Sequence, residues 1–284
     1  MNRIITALVA LPGLIAAIVL PYFFPNNHEF NLFFVAIAAA AIVLALYEYF
    51  MFTKTMHLKA DAALGFLGSA AIFIAFLFDA PTKAPDVLVM TLALFIVAAV
   101  ASQAFRFQRA ADFSKMLAAI GVTVLGVFYI AFLGGYFVAL RVGFDNYPNL
   151  STKLLVFLFL ILMGADAAAL YIGKMLGKHK LAPKISPGKT WEGAIGGLVV
   201  SLLLALIASL TFFTELIWFV ALPLAAVMMI VGVVGDLAES AIKRGANAKD
   251  AATLLPGHGG LLDRMDSLLF NAPLLYYFAR FYFQ

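Results

Sequence analysis

The sequence has no cysteine in 284 residues, which excludes disulfides and thiolate metal sites and leaves the redox compartment unread. Charge is scarce, with Asp, Glu, Lys and Arg making up 12% of the chain. Internal repeats, low-complexity tracts and flexible polar linkers are missing as well, so nothing marks off a second independent domain. What remains is apolar: 64% of residues are hydrophobic and mean hydropathy is +1.02. Soluble domains hold roughly 45 to 50% apolar residues, so the solvent for this chain is lipid.

A bilayer-spanning helix needs about 20 mostly apolar residues. Segments of that kind are predicted at Ile4–Phe24, Phe30–Phe52, Ala62–Phe78, Val87–Phe105, Met116–Leu140, Leu154–Gly173, Ala194–Phe213, Ile217–Asp236 and Leu268–Phe283. The fold class expected is therefore all-α: a polytopic membrane helix bundle of eight or nine spans. The last segment is the shortest, and it contains Asn271, Pro273 and Arg280. The runs are continuous rather than alternating, so the spans are not strands. Arg3 before the first run resembles a signal peptide's basic start, but the run exceeds a usual signal core and lacks a small-x-small cleavage pattern, so it reads as a membrane helix.

Basic residues gather in the loops that retention on the cytoplasmic side requires. With the N-terminus inside, the opposite face receives only Lys83, Arg141, Lys153 and Arg280 of the 19 lysines and arginines. Polar residues are sparse before residue 150 and crowded over 164–192 and 236–266, both on the expected cytoplasmic face. One membrane domain is expected, with residues 1–150 as scaffold and 151–284 as the catalytic half.

The run ending near Val234 continues into GDLAESAIKR. If the helix persists, Asp236, Ser240 and Lys243 share one face, with Glu239 and Arg244 beside them. After the break dictated by Pro256, Gly257, Gly259 and Gly260, LLDRMDSLLF places Asp263 and Asp266 three apart, on one side of a helix. With Asp236 these acids could supply oxygen ligands to Mg²⁺, which takes a few carboxylates and leaves room for water and substrate phosphates. An ordinary salt bridge to Arg264 is the competing account of any one acid. His258, without cysteine or a second histidine nearby, reads as a turn residue or phosphate donor rather than a zinc ligand. Its glycine neighbours leave backbone N–H groups open to an anion.

Asp166 lies inside LILMGADAAALYIGKMLGK, where a charge in the membrane marks function or an ion pair with another helix. HKLAPKISPGKTWEG follows, with Lys184, Ser186, Lys189, Thr190 and Glu192 on a proline-stiffened loop suited to phosphates. GKT at 188–190 is similar to the end of a Walker A motif, but Pro183 stands where the first glycine belongs and no strand is expected before it. Gly193 and Gly197 form a GxxxG that points to close helix packing. Glu48, in LALYEYF, is read as snorkelling or bonding to another helix.

Residues 240–266, SAIKRGANAKDAATLLPGHGGLLDRMD, resemble the signature of the phosphatidate cytidylyltransferases, or CDP-diacylglycerol synthases. The pattern is met by Ser240, Lys243, Arg244, Lys249, Asp250, Pro256, His258, Gly259, Gly260, Asp263, Arg264 and Asp266. DAAALYIGKMLGK and KISPGKTWEG resemble the same family, so the close likeness covers roughly residues 164–270, and the N-terminal half is similar only in hydropathy and length. The resemblance implies an integral enzyme of the bacterial inner membrane, its site facing the cytoplasm, that joins CTP to phosphatidic acid and releases pyrophosphate. It implies Mg²⁺, with a second cation open, on Asp236 and Asp263, with Asp266 close by.

In this reading Lys243, Arg244 and Arg264 hold the nucleotide or pyrophosphate, while Ser186 and Lys189 hold the lipid phosphate or the triphosphate. Asp166, Ser240, Lys249, Asp250, His258, Gly259 and Gly260 complete the binding set. No Ser, Cys or His nucleophile is required, because the lipid phosphate is already anionic. A transferase acting on a polyprenyl or ether-linked lipid phosphate would use the same clamp. The D-G-x2-A-R signature of another CDP-lipid family is absent, no repeat supports a transporter, and the basic loops beside the bilayer do not suggest nucleic acid. Membrane lipids are the expected surroundings, and the sequence leaves oligomeric state open, a homodimer included.

Overall fold

The computed structural model describes residues 2–24, 29–82, 84–108, 113–144, 149–246 and 260–283, with side chains from Pro12 onward. The described chain is helical almost throughout: α1 (Asn2–Phe23), α2 (Glu29–Thr55), α3 (Ala62–Thr82), α4 (Asp86–Gln108), α5 (Met116–Gly126), α6 (Leu133–Val142), α7 (Leu150–Leu176), α8 (Trp191–Leu210), α9 (Trp218–Gly245) and α10 (Leu262–Tyr282). A π-helical stretch, Val127–Phe132, joins α5 and α6 into one segment. Among the described residues, seven helices are long and apolar enough to cross a membrane. Large side chains such as Leu67, Phe78, Val97, Leu117 and Leu210 are exposed, while Glu48, Gln103, Thr123, Arg141, Ser201 and Asn271 are buried. Apolar outside and selected polar groups inside is the arrangement a lipid solvent demands.

Two compact units divide the chain. The first comprises Met1–Ser151 with Gly245–Asp263, and the second Thr152–Arg244 with Arg264–Gln284. In the first, α3 packs against α4 and α6, and α2 against α6. Gly68 lies against Phe95 and Gly135 against Phe76 so closely that a side chain at either position would overlap the ring. Asp79, near the end of α3, receives the N–H groups of Val87 at 3.3 Å and Leu88 at 2.6 Å. These are donors that the first turn of α4 leaves without intrahelical partners.

In the second unit, Gly193 and Gly197 of α8 face Ala165, Ala169 and Gly173 of α7. This is the close packing expected of the GxxxG. A Cβ at 193 would stand 2.6 Å from the Ala169 carbonyl oxygen and 3.2 Å from Gly173 Cα. Gly235 of α9 lies equally close to the backbone of Asp266 on α10.

Three boundaries depart from the sequence reading. The loop before α8 is a small antiparallel hairpin, β1 (Lys180–Ala182) and β2 (Ser186–Thr190), because the Pro183-Lys184 turn lets Ile185 N–H reach the Ala182 carbonyl at 3.2 Å. Helix α9 runs past the expected Asp236 limit to Gly245, since an amphiphilic sequence leaving lipid can keep its helical bonds in water. Helix α10 begins at Leu262 rather than Leu268, because Glu48 receives its leading N–H groups. Its charged and amide residues, Asp263, Arg264, Asp266, Asn271 and Arg280, separate it from the seven apolar spans.

Candidate active site

The second unit contains a cavity of about 530 Å³ bordered by α7, α8, α9 and the hairpin. Its wall combines Leu162, Leu170, Met229 and Val233 with Asp166, Lys174, Ser186, Lys189 and Asp236. Each polar group arrives there for a local reason. Asp166 follows the small residues Gly164 and Ala165, on the helix whose alanines and glycine receive α8. Ser186 and Lys189 stand at the two ends of the Ser-Pro-Gly-Lys stretch of β2.

The hairpin is held firmly at its base. The Trp191 N–H donates to the His179 carbonyl at 2.9 Å, and the Thr190 hydroxyl accepts from Gly193 N–H at 3.1 Å, capping α8. Glu192 receives the N–H groups of Lys178 and His179 at 3.1 and 3.2 Å, and its Oε1 lies 2.6 Å from His179 Nδ1. Across the turn, Arg244 Nε donates to the Ile185 carbonyl at 3.1 Å.

Asp236 is the polar centre of the cavity. One of its oxygens pairs with the Lys189 ammonium, and the other lies 3.4 Å from the Ser240 hydroxyl, one helical turn on. Both partners are partly open, with 23% of the Lys189 and 32% of the Asp236 side chain exposed. Asp166 and the buried Asp266 both lie within electrostatic reach of Asp236 and Lys189.

Helix α9 continues through Asp236, Ser240 and Lys243, and the first two of these side chains meet directly. Lys243 pairs with Glu239, 2.7 Å away and almost fully buried. The cation beside Asp236 comes from Lys189 of the hairpin, a pairing that spacing along one helix does not reveal. Arg264 is exposed. In the first unit, Asp263 Oδ2 accepts the Gly260 N–H at 3.2 Å. Lys249, Asp250, Pro256, His258 and Gly259 lie outside the described residues.

Sequence reasoning does not single out Lys174 as a cavity residue, nor Glu192 as the clasp of the hairpin. Glu192 carries a signal, an acid in the first turn of a helix, where anions meet unsatisfied N–H groups. Among the described residues, no three of His, Cys, Asp and Glu converge into a group able to hold a metal. Mg²⁺ does not need such a cage, since one or two carboxylates with water and phosphate oxygens satisfy it. The hard, half-exposed oxygens of Asp236 fit that requirement.

Comparison with known proteins follows the same direction. A family model described as "Cytidylyltransferase family" matches residues 1–282. The phosphatidate cytidylyltransferase of Bacillus subtilis (strain 168) is 32% identical over 273 residues, 94% of this chain and 95% of the relative. The Haemophilus influenzae protein of the same name is 42% identical over 163 residues, 54% of either chain. That of Brucella suis is 47% identical over 125 residues, 44% of this chain and 46% of the other.

Proposed function

Because this chain belongs to the cytidylyltransferase family, we propose that it is the enzyme that joins CTP to phosphatidic acid, forming CDP-diacylglycerol and pyrophosphate. The observation that carries the reading is the cavity itself. Lys189, Ser186 and Asp236 meet an apolar wall of Leu162, Leu170, Met229 and Val233 in a chain with lipid as its solvent, which suits an amphiphile with an anionic head.

In the proposed reaction, a phosphate oxygen of phosphatidic acid attacks the α-phosphorus of CTP. The new P–O bond forms as the bond from that phosphorus to the bridging oxygen breaks, and pyrophosphate leaves with the bonding electrons. Two anions must meet, so the protein's task is to position them and offset their charge. Lys189 offers an ammonium and Ser186 a hydroxyl to phosphate oxygens. Incoming phosphate opens the Lys189–Asp236 pair at little cost, because a partly exposed ion pair is weak in itself. Lys243, Arg244 and Arg264 are assigned to the nucleotide or the pyrophosphate.

On the motif, Asp236 and Asp263 are the carboxylates assigned to Mg²⁺, and Asp236 stands beside the cavity. When bound, Mg²⁺ would neutralise charge on the phosphates and favour departure of pyrophosphate. The biased placement of basic residues supports a site on the cytoplasmic face, and the bacterial relatives support an inner-membrane setting.

The test is product formation by the purified full chain in detergent. With CTP, phosphatidic acid and Mg²⁺, pyrophosphate and CDP-diacylglycerol should appear in equal amounts, and omission of either substrate or chelation of the metal should stop both. Turnover with a polyprenyl phosphate but not with phosphatidic acid would replace the lipid assignment.

A further inference from the structure

Glu48 is fully buried in α2, inside an otherwise apolar stretch, and both of its oxygens are engaged by one short segment far along the chain. The Leu261 N–H donates to Oε1 at 2.9 Å and the Leu262 N–H to Oε2 at 2.8 Å, across 213 and 214 residues. The neighbouring Gly260 N–H donates to Asp263 Oδ2 at 3.2 Å. Three consecutive N–H groups thus end on two carboxylates, all within the first unit. A carboxylate gripping two adjacent peptides fixes their planes, and the residue that follows directly is Asp263.

We propose that Glu48 is a positioning residue for the reaction: its carboxylate clamps the start of α10 and thereby sets the orientation of Asp263. The proposal rests on the reading above, in which Asp263 is a working acid. Burying a charge in a membrane helix is costly unless it is hydrogen-bonded, and among the described residues Glu48 finds its bonds in backbone N–H groups. Glutamine at 48 would keep the shape but present an NH₂ group to one of the two donors, so one bond is lost and two donors face each other. Aspartate would keep the charge on a side chain one methylene shorter.

The same unit supplies its own control. Asp79 also receives two leading N–H groups of a helix, those of Val87 and Leu88, but its helix α4 carries no signature residue and the connection spans only eight or nine residues. Loss of either cap should therefore lower stability, whereas only loss of the Glu48 cap should disturb turnover.

The experiment compares native chain, Glu48→Gln, Glu48→Asp and Asp79→Asn, all full length in detergent. Two readouts are taken: amide hydrogen exchange over residues 260–263, which needs no substrate or metal, and kcat and KM for CTP and phosphatidic acid. Glu48→Gln should speed exchange at Leu261 and Leu262 and lower kcat by about tenfold to a hundredfold, with both KM values within about threefold of native. Glu48→Asp should fall between it and native, and serves alone should the glutamine variant not fold. Asp79→Asn should leave exchange at 260–263 and kcat unchanged.

Unchanged exchange in the Glu48 variants would remove the clamp. Faster exchange with native kcat would keep the clamp and overturn its role in positioning, as would an equal loss of kcat in Asp79→Asn. Native protein inactive on both substrates, with Glu48→Gln still exchanging faster, would locate the failure in the functional reading rather than in the clamp.

Discussion

The buried acids of the first unit and the cavity acid of the second do different work with the same functional group. Glu48 and Asp79 each direct their oxygens at backbone N–H groups of a following helix, so each carboxylate is held by partners that cannot move away. Asp236 is held by an ammonium and a hydroxyl, both on side chains and both at the edge of a cavity. Backbone partners turn a carboxylate into a fixed strut, whereas side-chain partners leave it able to exchange one cation for another. Charge in a membrane protein therefore marks function less by its presence than by what surrounds it.

The sharpest way to break this contrast is to remove the charge of Asp236. Asp236→Asn retains the shape and relieves an electrostatic load, so the protein should fold with a Tm near native. Its kcat/KM should fall on the order of a hundredfold to a thousandfold, as when one preorganised electrostatic group is lost from an active site. Lys189→Met should cost less, about tenfold to a hundredfold, because Lys174 and Ser186 also line the cavity. Steady-state kinetics beside thermal unfolding would check both. A large drop in Tm with native turnover would make Asp236 another strut.

A smaller effect is expected from the seam that shapes the cavity. At Gly193, a methyl group would press on the backbone of Ala169 and Gly173, which cannot rotate away, so Gly193→Ala should destabilise by about 1 to 3 kcal/mol. Gly188 also lines the cavity, but a methyl group there would meet nothing within 4 Å, so Gly188→Ala should stay within about 0.5 kcal/mol of native. Unfolding in detergent, followed by circular dichroism, separates the two. Equal stability would mean that α7 and α8 do not depend on their glycine contact.

Much of this is legible in the chain. Continuous apolar runs give the seven helices that are long and apolar enough to cross a membrane among the described residues, and Gly193 with Gly197 gives a close helix contact, because lipid solvent and small residues impose local patterns. Asp166, Ser186, Lys189 and Asp236 stand out as polar residues in or beside apolar runs, and the structure lines one cavity with all four. Pairing is harder to read. Lys243 meets Glu239 by ordinary i,i+4 spacing along α9, but Lys189 meets Asp236 because the hairpin, which no spacing along α9 reveals, carries it there. Glu48 is visible as an isolated charge, but its partners lie more than two hundred residues away, and backbone donors carry no sequence signature.

The smallest effect belongs to an ion pair that does not line the cavity. Lys153 Nζ lies 2.5 Å from Glu215 Oε1, in the second unit, and 53% of the Glu215 side chain is exposed. Partial burial pushes the Glu215 carboxyl upward, but the Lys153 hydrogen bond, a backbone N–H and the Lys153 charge together hold it below the usual carboxylate value. A lowered value means that the pair's stabilisation is complete above the ordinary carboxylate range and fades as pH falls through the lowered one. Solvent screening limits it to under about 0.5 kcal/mol. Glu215→Gln should therefore lower Tm by no more than about 2 °C at neutral pH, with the difference vanishing in acid and kcat unchanged. A loss of turnover in this variant would extend the set of working charges beyond the cavity, and would show that an exposed pair held only by side chains is no guide to which acids are free to serve the reaction.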